Sequence, residues 1–158
     1  MTVPPDGVVI GQNGPMTDTA SETITIAAPA TRVWEIIADI ERYPEWVDDV
    51  TEARVVERDD EGRPLNVEFR ASALGRSTHY TLRYDYSAAP DELRWTMVSG
   101  DIQRSIDGAY IITAAGESTD VRYDLSIELV VPLPGFVKRR AERRILNAVH
   151  QLRDIAES

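Results

Sequence analysis

The stretch VKRRAERRILNAVHQLRDI (Val137–Ile155) carries the clearest periodicity in the chain. Val137, Ala141, Ile145, Ala148, Leu152 and Ile155 recur at intervals of four, four, three, four and three, which lays one apolar stripe along an α-helix. With a rise of about 1.5 Å per residue such a helix runs about 33 Å, enough to cross several strands set about 4.8 Å apart. The segment before it, Val131-Pro132-Leu133-Pro134-Gly135-Phe136, cannot continue a hydrogen-bonded ladder and reads as the link into the helix.

Upstream of that link the period is two. Val55 opens the pattern, and after a turn at Asp59-Asp60-Glu61-Gly62 the residues Leu65, Val67, Phe69 and Ala71 share one strand face. Gly75 marks the next turn; Tyr80, Leu82, Tyr84 and Tyr86 then alternate with His79, Thr81, Arg83 and Asp85. Beyond Ala89-Pro90-Asp91 come Leu93, Trp95 and Met97, then Ile102 through Ile112, and after Ala115-Gly116-Glu117 a last strand with Val121, Tyr123, Leu125, Ile127 and Leu129 inward. These six strands, joined by short turns, form an antiparallel meander; strands of such length require the sheet to coil.

Glu22–Ala27 alternates as one further strand, making seven. Pro29 suits the start of a helix carrying Val33, Ile36, Ile37 and Ile40, and Asp39 can cap a second short helical turn that should break near Tyr43, ahead of Pro44. Residues 1–20, with Pro4, Pro5, Gly7, Gly11, Gly14 and Pro15, have no sustained period and are expected to be a flexible N-terminal arm on a single domain spanning 21–158.

Composition removes several function classes. The formal net charge of -10 opposes binding to nucleic-acid phosphates. The absence of cysteine excludes disulfides and sulfur-ligated zinc, and no apolar run approaches a membrane span. With no leader-like segment at the start, a cytoplasmic location is the default expectation. The charge is uneven, because Lys138, Arg139, Arg140, Arg143 and Arg144 make the last helix locally basic. That face is either solvated and paired with carboxylates or meets an anionic membrane surface transiently.

The segment Ile24-Thr25-Ile26-Ala27-Ala28-Pro29, with Val33-Trp34-Glu35-Ile36-Ile37-Ala38-Asp39 and Tyr43-Pro44-Glu45-Trp46, resembles the start of the polyketide cyclase/dehydrase and coenzyme-Q-binding branch of the START-like (SRPBCC) superfamily. The strand from Gly100 to Tyr110 and the 131–136 link resemble its actinobacterial members. This resemblance, over residues 21–157, implies an α+β helix-grip fold, as in START and Bet v 1-like proteins. In it a seven-stranded curved antiparallel sheet wraps a long C-terminal helix, two short helices follow the first strand, and a tunnel takes a lipid, isoprenoid quinone or polyketide-like ligand.

A curved sheet under one helix encloses volume unless side chains fill it. The candidate ligand-binding residues are Phe69, Tyr80, Tyr84, Trp95, Met97, Tyr110 and Tyr123 on the sheet and Ala141 and Ala148 on the helix, a mostly apolar lining with a few polar handles. Arg104 joins them as a polar anchor if its strand is unbroken, since it shares the parity of Ile102, Ile106, Gly108, Tyr110 and Ile112, and Gly108 would leave room beside it. A β-bulge between Gly100 and Ile106 would return Arg104 to solvent.

Catalytic machinery is not evident. His79 and His150 are the only histidines; His79 falls on the solvent parity, His150 one position off the inward stripe, and no metal-ligand spacing, glycine-rich phosphate loop or nucleophile elbow occurs. No catalytic residue, metal or cofactor is therefore assigned. Binding or transport of a small hydrophobic ligand is the leading expectation. A polyketide aromatase/cyclase or dehydratase is the alternative, and a ribosome-associated interaction protein a further one, both raised by the resemblance.

Overall fold

The computed structural model describes residues 9–12, 17–73, 75–130 and 135–158, and the side chains of all of these except 9–12, 17–18, 73, 136–138, 141–142 and 145. Strands β1 (Val9–Gln12) and β2 (Thr17–Ile26) precede helix α1 (Ala30–Ala38) and a 3-10 turn (Ile40–Glu45). Strands β3 (Val50–Arg58), β4 (Pro64–Ala73), β5 (Arg76–Asp85), β6 (Glu92–Gly100), β7 (Gln103–Ala115) and β8 (Ser118–Leu129) follow, then helix α2 (Gly135–Ala156). The sheet is antiparallel with the order β1-β2-β8-β7-β6-β5-β4-β3. Strands β2 to β8 are the seven expected, and with α2 they form the helix-grip architecture.

Two boundaries differ from expectation. Val9–Gln12 pairs with Asp18–Ser21, and β2 begins at Thr17, so residues 9–12 and 17–20 of the expected arm belong to the sheet. Backbone pairing needs no apolar period, so a four-residue, glycine-containing edge strand leaves no trace in the hydrophobic pattern. The turn after α1 also runs through Pro44 instead of stopping at Tyr43. It is a 3-10 turn, closed by Arg42 N–H to Asp39 O and by Trp46 N–H to Tyr43 O, both 3.1 Å.

The core lies between the concave sheet face and α1, the 3-10 turn and α2. Ile26, Val33, Ile37, Ile40, Val67, Leu93, Val121, Val149 and Leu152 are fully buried in it. The face by which α2 is seated, chiefly against β2 and α1, is Leu146, Val149, Leu152 and Ala156, with Ala148 and Ile155 partly buried at its flanks. Among the described side chains the expected stripe shares only Leu152 with this buried line; the side chains of Val137, Ala141 and Ile145 lie outside the described residues.

Polar ties fix the C-terminal end of α2. Arg32 donates to the carbonyls of Ala156 (3.2 Å) and Ile155 (3.3 Å), placing a cation at the negative end of the helix dipole. Glu157 accepts from the backbone N–H of Ala27 at 2.8 Å, and Gln151 from that of Asp48 at 3.2 Å.

Candidate functional site

Because α2 is seated along one side only, its other side roofs a cavity of about 520 Å³, within the range of small-molecule sites. Phe69, Tyr80, Leu82, Tyr84, Trp95, Ile106, Tyr110, Tyr123, Leu125 and Ile127 line it from the sheet, Tyr43, Val47 and Asp49 from the turn before β3, and Arg140, Arg144, Ala148 and Gln151 from α2. The spacing of 140, 144 and 148 is a helical row, so among its described side chains α2 seats itself with apolar residues and faces the cavity with largely polar ones.

The rings form two connected groups. Trp95 lies 5.4 Å from Tyr110 and 6.0 Å from both Tyr84 and Tyr123, and Tyr110 lies 4.9 Å from Tyr123. A second group runs Trp46, Tyr43, Phe69, Tyr80 with centroid separations of 5.2, 6.3 and 5.5 Å. Tyr43 donates to the carbonyl of Ile37 and Tyr86 to that of Pro64, each at 2.5 Å. The hydroxyls of Tyr80, Tyr84, Tyr110 and Tyr123 take no hydrogen-bond partner among the described residues.

Burial pushes the phenols of Tyr43, Tyr84, Tyr110 and Tyr123 well above the ordinary value, and those of Tyr80 and Tyr86 up to about 12. These are all six tyrosines of the chain. A raised folded-state pKa means that the fold keeps protons which the unfolded chain sheds. The tyrosine contribution to stability is therefore complete below pH 10.0 and is lost as pH rises from there through about 12. In an alkaline titration phenolate absorbance should stay low past pH 10.0 and then rise together with loss of secondary structure. Separate phenolate titration near pH 10.0 with the fold intact would place these rings in solvent.

At the mouth, the Arg144 guanidinium and Asp49 carboxylate form a two-point ion pair, with Nε to Oδ2 at 3.2 Å. Asp49 thus links the turn before β3 to α2. The hydrogen bond to Asp49 and its charge raise the pKa of Arg144.

The other polar end of the cavity holds Gln103 in place of Arg104. Gln103 pairs with Leu129 and Ser105 with Glu128, so β7 spends two steps where β8 spends one and Arg104 is the extra residue of a bulge. Arg104 faces outward, its side chain half-exposed and 3.5 Å from Glu128. The anchor expected of Arg104 is therefore corrected. Gln103 is 7% exposed, lines the cavity, and donates through Nε2 to Thr78 Oγ1 at 3.1 Å. Thr78 in turn donates to Asp101 Oδ1, a carboxylate that also accepts from the backbone N–H groups of His79 (3.0 Å) and Ile102 (2.6 Å). The carboxylate's pKa is lowered by these bonds against the opposing effect of burial. Gln103 Oε1 is buried without a partner, as is Asn66 Oδ1, which lies outside the cavity lining. A buried acceptor left unpaired costs about 1–3 kcal/mol.

Of the other residues expected at the site, Phe69, Tyr80, Tyr84, Trp95, Tyr110, Tyr123 and Ala148 line the cavity. Met97 packs against the core without lining it, and the Ala141 side chain is outside the described residues. Gly108 makes room for Trp95 and not for Arg104: a Cβ there would fall 2.3–2.4 Å from the indole. His79 is exposed, and His150 bonds Glu22 of β2 through Nε2 at 2.9 Å, away from the cavity lining. Among the lining residues that sequence reading did not name for the site, Gln103, Arg140, Arg144 and Gln151 are polar and carry no apolar period, and the bulge and the helix rotation that place them are tertiary features.

A family model described as polyketide cyclase/dehydrase and lipid transport matches residues 26–151. The chain belongs to this family. Its fold is similar to a START superfamily protein from Mycobacterium smegmatis, with a TM-score of 0.80 and 24% identity over 88% of this chain and 97% of that one. It is also similar to the Zhui aromatase/cyclase from Streptomyces sp. R1128, with a TM-score of 0.77 and 17% identity over 89% and 94% of the two chains. A major latex-like protein from Panax ginseng gives a TM-score of 0.70 at 12% identity, over 90% and 99%. At these identities the likeness is one of fold. No curated protein matches the sequence. No helix among the described residues is long and apolar enough to cross a membrane, and no cluster of potential metal ligands occurs among them.

Proposed function

We propose that this protein binds or carries a small hydrophobic ligand (a lipid, isoprenoid quinone or polyketide-like molecule) in the cavity beneath α2. The observation that carries this reading is the lining itself: about 520 Å³ walled mainly by aliphatic residues and a connected ring array, with a few hydroxyl groups unpaired within the protein. Apolar walls supply affinity without a strong choice between similar shapes, and the polar groups orient the guest. Mass spectrometry of organic extracts from the purified protein, beside an unrelated protein prepared identically, should reveal an enriched lipophile. Equal extracts from both, with no binding of apolar probes, would remove the proposal. The exposed arginines Arg139, Arg140 and Arg143 at the mouth end of α2 support transient contact with an anionic membrane during loading. Sedimentation with anionic but not zwitterionic phospholipid vesicles is the expected result.

A second reading, ring closure or dehydration of a polyketide-like substrate, is favoured by the cavity phenols. Held protonated by burial, they can donate to a ketone oxygen and orient a reactive chain, but they do not supply a base at neutral pH. A product differing in mass from the bound lipophile would support this reading over simple carriage.

A further inference from the structure

Among the described residues that line the cavity, the charged ones are Arg140 and Arg144 of α2 and Asp49 of the turn before β3. Both arginines are exposed as well as lining, so they stand where the cavity meets solvent and an entering molecule can reach them. Arg144 and Asp49 neutralise each other in their two-point pair. Arg140, one turn earlier on the same row, has no hydrogen bond or ion pair among the described residues. The mouth therefore keeps an unmatched positive charge, although the chain as a whole carries -10.

Elsewhere that excess of carboxylates finds the arginines. Arg54, Arg70, Arg94, Arg104 and Arg122 on the sheet each hold one within 3.5 Å. The sequence of α2 withholds such partners from the mouth: between Gly135 and Arg144 it sets Lys138, Arg139, Arg140, Arg143 and Arg144 against the single acid Glu142. Its first turn carries no acid either, where the helix dipole favours negative charge. An anion held at the mouth compensates what the helix leaves uncompensated.

Resting on the hydrophobic-ligand reading above, we infer that the cavity selects an amphiphilic carboxylate, whose apolar body fills the space beneath α2 and whose head lies on Arg140, with Arg144 as the second cation. A guanidinium takes a carboxylate through two parallel N–H donors, as Arg144 already does with Asp49. With such an acid bound, two arginines face two carboxylates and the mouth is neutral. Alcohols, esters and other neutral lipophiles fill the same space but leave Arg140 unmatched.

The test is displacement of the neutral fluorophore N-phenyl-1-naphthylamine from the full chain by decanoate and by 1-decanol, at neutral pH and without vesicles. These competitors share one alkyl length and differ in the head. The intact protein should take decanoate about tenfold more tightly than decanol, the effect of one charge-assisted hydrogen bond. Arg140→Gln should bring the two within about twofold by losing decanoate affinity; the position is exposed, so the fold and the binding of decanol should stay as they are. Arg104→Gln removes the same charge from the outer face of β7 and should keep the tenfold preference, which separates a local site from the field of the whole protein. Asp49→Asn removes the competing carboxylate and frees Arg144, so it should widen the preference by about threefold. A merely structural tie between Asp49 and Arg144 would weaken both competitors alike. Equal binding of the two by the intact protein overturns the inference, as does a preference that survives Arg140→Gln, is lost in Arg104→Gln or is not widened by Asp49→Asn. Each of these results leaves the hydrophobic cavity standing as long as the fluorophore binds. If the fluorophore and both competitors fail to bind the intact protein, the ligand reading and this inference fall together.

Discussion

Leu152→Ala is expected to lower the unfolding free energy by about 2–5 kcal/mol, the usual cost of emptying a leucine site in a core that relaxes only partly. Leu152 is fully buried and stands in the line by which α2 is seated, between Val149 and Ala156. That line holds α2 over the cavity, so the loss loosens the roof as well as the core. For a chain of this length the melting temperature should fall by about 2–4 °C per kcal/mol. Ile155→Ala, at the flank of the same helix, provides the control: Ile155 is only partly buried and its truncation should cost clearly less. A loss below about 1 kcal/mol at Leu152, or a larger one at Ile155, would mean that α2 is rotated from the position described. The measurement is chemical or thermal unfolding followed by circular dichroism.

The same helix shows what the sequence makes legible and what it does not. Its existence and length follow from spacing alone, and so do the meander and the inward rings Phe69, Tyr84, Trp95, Tyr110 and Tyr123, because half-buried strands must alternate. The rotation of α2 does not follow. The expected stripe ran Val137, Ala141, Ile145, Ala148, Leu152, Ile155, whereas the buried line among the described side chains runs Leu146, Val149, Leu152, Ala156. Ala148 belongs to the cavity row with Arg140 and Arg144. A helix that covers a cavity has two inward faces, one packed and one lining, and a periodicity argument merges them into one. Arg104 fails for a similar reason. Strict alternation aims it inward, but one extra residue in β7 exchanges it with Gln103, and a bulge is decided by pairing with β8 and the turn after β6. The expectation named the bulge as the route to solvent, yet nothing in the local sequence selected Gln103 as the replacement.

Gly108→Ala is expected to disturb the cavity most directly. Gly108 is paired with Trp95 across β7 and β6, and the indole lies flat over the place where a side chain would begin. A Cβ there would stand 2.3 Å from Trp95 Cε2 and 2.4 Å from Cζ2 and Nε1, far inside contact distance and against a rigid ring. The ring is flanked by Tyr84, Tyr110 and Tyr123, so it cannot slide along the sheet without striking one of them; the open direction is the cavity. The substitution should therefore cost about 1–3 kcal/mol by overpacking. It should also change the tryptophan fluorescence and weaken binding of any bulky apolar probe by reducing the space available to it. Trp95→Leu alone removes ring contacts and opens the cavity, and in combination with Gly108→Ala it removes the atoms the new methyl strikes. The double variant should thus be more stable than the sum of the single losses implies, with a coupling of about 0.5–3 kcal/mol as found for residues in direct contact. Additive losses would show that Gly108 is required for the backbone of β7 itself and that the indole does not rest on it.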